Sequence, residues 1–356
     1  MAVRYQIVVK NAAGARQGLL ANADPLGFSF SRVVNGVGAF ALVISGVHPV
    51  VAYFVEGGQV EFWREDAAHG IPLYQEAGFL IDDLVEYTQG NESLFQASGV
   101  GYNGILARRV VAAYAGSAQA EKTGAAETVI KEYVDEQIVS ATDADRQIAG
   151  MTIQANAAGG DTIAVYGAWQ SLLEVCQRIA AAGGGDFDIV GNGDGAWLFK
   201  WFTGQMGTDR SASVIFALNY GNMKEPSWAE TKSTSLNAIL VAGQGAEADR
   251  ATVWRETGAP AGITRREAFV DARDVETTTG LNTSGDAKLE ESKFAAAFNF
   301  QPVQTAAMQY GRDYFLGDLV TAKYLTHQQA RKIVSVSVSV NRGAPEVISI
   351  GTIANA

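Results

Sequence analysis

Two aspartates near the end of the chain have the spacing that could support acid/base chemistry. Asp313 and Asp318 lie in MQYGRDYFLGDLVTAKY, residues 308–324, and a pair of carboxylates is what glycoside hydrolysis requires. However, Asp318 directly follows Gly317, and one residue separates Asp313 from the glycine before it. Gly317 and Asp318 also stand immediately before an apolar pair. This is how a chain reverses and enters a strand. The pattern therefore favours turn residues over catalytic acids.

A glycine-rich segment, GNGDG at 191–195, is the one place that could cradle a phosphate. No lysine follows it as in a P-loop, and the next residues, AWLFKWF, are typical of a strand where a dinucleotide site needs a helix N-terminus. Oxygen ligands for calcium occur nearby at Asp186, Asp188, Asn192 and Asp194. Their spacing does not match an EF-hand loop, because Val190 occupies the fifth position. We predict a hairpin turn here.

The remaining residues of catalytic type are few and scattered. The three histidines, none with a second histidine or a cysteine at zinc-ligand spacing, are His48, His69 and His327. Cys176 is the only cysteine, so no disulfide can form within the chain, and its helical context, SLLEVCQRIA, favours a buried small side chain over a nucleophile. G-x-S-x-G and H-E-x-x-H motifs are absent from the sequence. We predict no catalytic, metal or cofactor residues.

Length and charge restrict the class of protein further. A chain of 356 residues is expected to form two or more domains, and its 39 glycines against 7 prolines favour many tight turns. The net charge is −11 and basic residues never cluster beyond pairs, so tight nucleic-acid binding is not expected. No secretory signal and no run of about 18 apolar residues is present. We expect a protein made in a cytoplasm, without a membrane-spanning segment.

Hydrophobic periodicity divides the chain into three parts. Residues 1–104 alternate with period two between turn signals, which predicts an all-β barrel. Residues 105–205 contain two amphipathic helices and the hairpin, which predicts an α+β domain. Residues 206–356 return to strand patterns and predict a second β domain, interrupted by a loop-rich insertion at about 245–290. One strand of 206–230 could instead return to the first barrel.

Four details of this assignment are specific enough to be checked. Thr123 is predicted to cap the first helix, and Gly183 to end the second. DAKLEESKFAAAF, residues 286–298, is predicted to be a short helix. In KIVSVSVSV the valines alternate with serines, which predicts one buried face; these valines are Val334, Val336, Val338 and Val340.

Tryptophans could also serve as platforms for a ligand such as a glycan. The candidates are Trp63, Trp169, Trp197, Trp201, Trp228 and Trp254. Three of them, Trp169, Trp197 and Trp201, lie in segments patterned like a core, which favours packing as their role. The alternatives to a structural protein that stay open are a glycan-binding β module and a cell-wall glycan or peptide hydrolase.

As an ensemble, several segments resemble the baseplate hub and tail-tip proteins of long-tailed bacteriophages, including the hub part of tail-associated lysins. These segments are GYNGILARRV, WQSLLEVCQRIA with FDIV and the GDG hairpin, NMKEPSWAETKSTSLNAILVAGQG, RREAFVDARD and FQPVQTAAMQYGRDYFLGDLVTAKY. They run in the order of the family from about residue 3 to residue 352. The residues of the last segment that the resemblance implies to be structural are Gly311, Asp313, Tyr314, Gly317 and Asp318.

The resemblance implies a homotrimer in the virion tail. Each chain would supply two tail-tube-like antiparallel β-barrels, with a small α/β domain and an insertion outside them, and three chains would form a quasi-sixfold ring. The implied partners are a tail tube or distal tail protein above, tip or fibre proteins below, and the tape-measure protein. DNA would pass through the channel without binding tightly. Since the chain ends at Ala356 soon after the last strands, no appended lysin domain and no enzymatic activity are expected.

Overall fold

The computed structural model describes residues 3–21, 24–112, 120–193, 195–230, 232–246, 249–292 and 297–354. Strands hold 47% of the residues and helices 19%, so the fold is mainly β, as predicted. Among the described residues, no helix combines the length and apolar character needed to cross a membrane.

Seven strands make up the N-terminal part, where the alternating pattern predicted them. They are β1 Arg4–Lys10, β2 Arg16–Ala21, β3 Gly27–Val33, β4 Ala39–Ser45, β5 Gln59–Asp66, β6 Ile71–Gln89 and β7 Glu92–Gly101. The alternation places one side chain in two inside, and Ile7, Phe30, Leu42 and Phe62 are all buried. Rings from five of these strands meet at the centre, with the Phe30 and Phe62 centroids 4.8 Å apart. Burial of this aromatic face is what holds the N-terminal strands together.

The middle part combines helices with short strands. Its elements are α1 Gly104–Ala107, β8 Ala120–Ala125, α2 Ala126–Val134, β9 Met151–Ile153, β10 Thr162–Gly167, α3 Leu172–Gly183, β11 Gly185–Gly191 and β12 Trp197–Thr203. β11 and β12 pair antiparallel, which confirms the hairpin; Asp194 of its turn lies outside the described residues. The predicted cap at Thr123 is wrong, because Thr123 belongs to β8 and pairs with Ala164. The first backbone amides of α2 instead donate hydrogen bonds to the carbonyls of Asp161 and Gly159.

The C-terminal part contains more regular structure than its composition predicted. Its elements are β13 Ile215–Ala217, β14 Met223–Ala229, β15 Ala238–Ala242, β16 Thr252–Glu256, β17 Glu267–Asp271, α4 Thr278–Ser292, β18 Ala297–Pro302, β19 Leu319–Tyr324, β20 His327–Asn341 and β21 Val347–Ala354. The insertion at 245–290 is therefore not loop-rich. Its apolar content is low because β16 and β17 bury only one face, against α4.

Two further expectations for this part are corrected. The helix assigned to residues 286–298 begins earlier, at Thr278, and Phe298 lies in β18, where its ring packs against Trp228 at 5.7 Å; residues 293–296 lie outside the described residues. On β20, Val336 and Val338 are buried as predicted, but Ile333 takes the place expected for Val334. An irregularity between Ile333 and Ser335 shifts the alternation by one residue.

The ends of the chain meet in one eleven-stranded sheet. The order is β13-β19-β20-β3-β4-β7-β6-β5-β1-β2, with β21 paired to the long strand β20. β20 and β3 pair antiparallel from Ser335 with Val33 to Asn341 with Gly27. A single hydrophobic core runs from Tyr5 to Ile350 and includes residues of both parts. Among the described residues, no strand pairing joins the two edges of this sheet into a closed barrel. β13 pairs with β19 and β14 with β18, so neither strand of residues 206–230 is seen to pair with the N-terminal strands.

Candidate functional site

The segment around Asp313 folds as a tight turn over the end of the large sheet. The amide of Gly311 donates to the carbonyl of Tyr314 at 3.1 Å, and the Asp313 carboxylate accepts from the amide of Gln309 at 2.7 Å. Arg312 contacts the same carboxylate at 2.7 Å. Burial raises the pKa of Asp313, but these hydrogen bonds outweigh it and hold the pKa below its usual value. Asp313 is thus an ionised turn residue.

Asp318 connects this turn to the segment that arrives from β12. Its carboxylate accepts from the amides of Thr208 at 2.7 Å and Phe315 at 2.9 Å, and from Nε of Arg210 at 2.8 Å. The side chain is almost completely buried. The hydrogen bonds that Asp318 accepts join chain segments, so its geometry is that of a structural acceptor.

Below the turn lies a buried arginine that the sequence did not single out. Arg64 on β5 is 0% exposed and contacts Glu346, in the turn before β21, at 2.5 Å and 3.1 Å. The arginine also donates to the carbonyl of Tyr310 at 3.2 Å, and the Tyr5 hydroxyl donates to Glu346 at 2.8 Å. Burial lowers the pKa of Arg64, but the bond to Glu346 and its charge raise it above the usual value. The group stays charged and joins three distant segments.

A second buried carboxylate lies beside this pair. Glu76 on β6 accepts hydrogen bonds from the hydroxyls of Tyr74 and Tyr310, and Arg32 on β3 lies 3.5 Å away. Burial, followed by the charge of Glu76, raises the pKa of both tyrosines. Gly311 has φ of 83°, and a Cβ there would lie 2.6 Å from the Tyr74 hydroxyl. Only glycine lets the turn approach this network so closely.

Polar contacts also attach the α+β unit to the sheet. Asp186 on β11 is buried and accepts from Lys332 on β20 at 2.6 Å and from the Asn35 side chain at 2.9 Å. Asn103 accepts from the amide of Ile189 and donates to the carbonyl of Gly36. A cavity of about 190 Å³ lies at this junction. Asp186, one of the residues considered as a calcium ligand, is therefore part of a structural joint.

The histidines and the cysteine are also engaged in structural contacts. His48 accepts from the amide of Val50, His69 pairs with Asp66 at 2.7 Å, and His327 stacks on Trp228 at 4.1 Å. Cys176 is buried in α3, and burial raises the pKa of its thiol. Among the described residues no group of three or more His, Cys, Asp or Glu side chains could hold a metal ion.

Of the three tryptophans that were predicted to pack in a core, two are buried and one is exposed. Trp197 and Trp201 are buried as predicted. Trp169 is 71% exposed, so the prediction that it packs in a core is wrong. It lies in the turn before α3 with φ of 54°, and the apolar stripe of that helix begins only at Leu172. Trp63 is partly exposed on the outer face of β5.

Sequence reasoning found the turn but missed the charges beneath it. Arg64, Glu76 and Glu346 were not identified because each stands alone in its own segment. Arg64 and Glu346 are 282 residues apart in the chain. The only available signal was a charged side chain inside an otherwise alternating strand, as in QVEFWRED of β5.

Comparisons with known proteins agree with this architecture. The family model for the Siphovirus ReqiPepy6 Gp37-like protein matches residues 6–352. No curated protein matches the sequence. The fold is similar to the prophage MuSo2 43 kDa tail protein of Shewanella oneidensis (TM-score 0.62, 12% identity, 98% of each chain covered). It is also similar to prophage tail protein gp18 of Listeria monocytogenes EGD-e (TM-score 0.59, 11% identity, 99% and 94% covered). A third similar structure is the tail protein of Neisseria meningitidis MC58 (TM-score 0.57, 11% identity, 99% and 97% covered).

These matches extend over nearly the whole chain, so they concern the complete arrangement and not one module. The predicted resemblance to phage baseplate and tail-tip proteins is confirmed. The chain belongs to the Siphovirus ReqiPepy6 Gp37-like family.

Proposed function

We propose that the chain is the structural hub of a phage-type tail tip. Three copies form a ring that closes or extends the tail tube, and each copy supplies two barrel-like halves, from residues 1–104 and 206–356. The α+β unit, residues 105–205, and the insertion lie outside the ring. The function is passage and attachment without catalysis, and the protein is located in the virion tail.

The observation that supports this proposal most is the pairing of β20 with β3. It joins the N-terminal and C-terminal strands into one sheet over one core. A subunit that fills two neighbouring positions of a sixfold ring needs its two halves at a constant angle, and a shared sheet provides that rigidity. The Arg64–Glu346 pair fastens the same two halves, and the Asp318 contacts hold the turn within the C-terminal half. We propose that Gly311, Asp313, Tyr314, Gly317 and Asp318 serve this structural role.

The charge of the chain suits a channel for DNA. Its net charge is −11, and duplex DNA carries one negative charge per about 1.7 Å. Repulsion between the wall and the phosphates would let DNA pass without sticking, and the tape-measure protein would pass through the same channel. The partners would be a tail tube or distal tail protein above the ring and tip or fibre proteins below it.

Light scattering on the purified full chain tests the hub directly. We expect a species of three times the 37.7 kDa monomer mass whose population rises with concentration. Electron microscopy of that species should show a ring with an open centre. A chain that stays monomeric at every concentration and never joins tail particles would contradict the proposal.

A further inference from the structure

A groove lined by both polar and apolar side chains, on the outer face of the N-terminal strands, has no role in the proposed hub. Its volume is about 480 Å³, and its lining comes from β1, β2, β5 and β6, with Gly193 of the hairpin turn at its rim. The opposite face of the same strands, with Ile7 and Phe62, forms the core. The groove therefore belongs to the surface of the sheet and not to its packing.

Strand register places an aromatic ring between two amides in this groove. Trp63 on β5 pairs with Gln6 on β1 and with Gln75 on β6. All three side chains line the groove and are partly exposed. Neighbours across a sheet stand about 5 Å apart on the same face. A molecule lying on the indole ring would have a glutamine amide on each side.

A buried ion pair forms the floor of the groove and orients the ring. Lys10 Nζ lies 2.7 Å from Oε1 of Glu61, and both side chains are almost completely buried. The indole Nε1 of Trp63 donates to Oε2 of the same glutamate at 3.1 Å. Glu61 thus contacts Lys10 with one carboxylate oxygen and the indole N–H with the other. The bond to the N–H fixes the orientation of the Trp63 ring.

Three other polar side chains of the lining are without a partner among the described residues. Over the residues that the structure describes, the side chains of Gln6, Gln75 and Arg16 make no hydrogen bond or ion pair, although all three line the groove. Each glutamine offers two N–H donors and a carbonyl acceptor, and the arginine offers a fork of donors. Planar amide and guanidinium groups of this kind match neighbouring hydroxyls, which both donate and accept.

We propose that this groove binds a carbohydrate. The apolar C–H face of a pyranose ring stacks on Trp63, and its hydroxyls bond to Gln6 and Gln75. The volume lies in the range of small-molecule sites, about 300–1,000 Å³. A free phosphate fits less well, because among the described residues of the lining Lys10 is already paired with Glu61, which leaves Arg16 as the one cation without a partner. The inference goes beyond the hub role, since it gives the tail tip a site for a surface or cell-wall saccharide.

A glycan array followed by calorimetry tests this site on the full chain. The array carries neutral and acidic oligosaccharides, including oligomers of N-acetylglucosamine and of galacturonic acid, and the best binder is then titrated. We expect Trp63→Ala and Gln75→Ala each to weaken binding by about tenfold or more, the size of one lost ring contact or hydrogen bond. Trp169→Ala, which removes a more exposed tryptophan outside the groove, is the matched control and should bind as wild type.

Three results would overturn the site. One is the absence of any array signal, and another is equal binding by Trp63→Ala and wild type. The third is an equal loss in the Trp169→Ala control, which would place binding elsewhere. If Trp63→Ala does not fold, as judged by circular dichroism, the partly exposed Gln75→Ala and a Gln6→Ala, Gln75→Ala double variant decide the matter. Trimer formation is measured separately, so a failed hub and a failed glycan site are told apart.

Discussion

Removing Glu346 is the sharpest test of what holds the two halves of the molecule together. Its partner Arg64 has a side chain that is 0% exposed, and Glu346 itself is 9% exposed. The substitution Glu346→Ala deletes two contacts to the guanidinium, at 2.5 Å and 3.1 Å, and the acceptor of the Tyr5 hydroxyl. What remains is a buried guanidinium that still donates to the carbonyl of Tyr310 but has lost its carboxylate partner.

The expected loss follows from that geometry. Breaking a buried ion pair by removing one partner destabilises a protein by about 3–5 kcal/mol, because the other charge stays desolvated and uncompensated. An exposed pair is worth only about 0–1 kcal/mol. The matched control is Glu291→Ala, since its pair with Lys288 is 37% and 69% exposed on the two sides. The double variant Arg64→Met, Glu346→Leu removes both charges and should recover most of the loss.

Urea unfolding, followed by fluorescence and by circular dichroism, measures these differences as changes in the free energy of unfolding. We expect the order Glu291→Ala close to wild type, the double variant next, and Glu346→Ala far below both. If Glu346→Ala lowers the free energy of unfolding no more than Glu291→Ala does, the Arg64 charge does not depend on Glu346. The two halves would then not be held rigidly at this position.

Three further outcomes are expected. Gly207→Ala should lose about 1–3 kcal/mol in urea unfolding, because its Cβ would lie 2.2 Å from the backbone of Gly317, whereas Gly124→Ala, with its nearest neighbour at 3.8 Å, should change little. Cys176 should resist Ellman's reagent at pH 8 in the native protein and react fully in urea, since burial raises its pKa and shields it; rapid native labelling would contradict this. Burial also raises the pKa of Asp188, so its contribution to stability is full below the unfolded value of about 3.9 and is lost as the pH rises through the folded pKa. Asp188→Asn should abolish that slope in urea unfolding measured from pH 3.5 upwards, and an unchanged slope would assign it to another group.

The local features of the fold were predictable because each leaves its own periodic signal. Strand alternation identified the N-terminal strands, the glycine-rich segment between β11 and β12 identified a hairpin, and apolar stripes identified α2 and α3. Where a tertiary contact overrides the local signal, prediction failed. Thr123 entered a strand because β10 was there to pair with it, and an irregularity at Ile333 moved the buried face of β20.

The amino-acid sequence by itself determined which residues alternate and where the chain turns. It also favoured Asp313 and Asp318 as turn residues over catalytic acids. Only the tertiary structure decided that β20 pairs with β3, that Arg64 meets Glu346, and that Gln6, Trp63 and Gln75 line one groove. The physical reason is that alternation reports whether a strand has a buried face but not which strand covers it. Every strand offers the same backbone donors and acceptors, and closing a long loop costs little more than closing a short one.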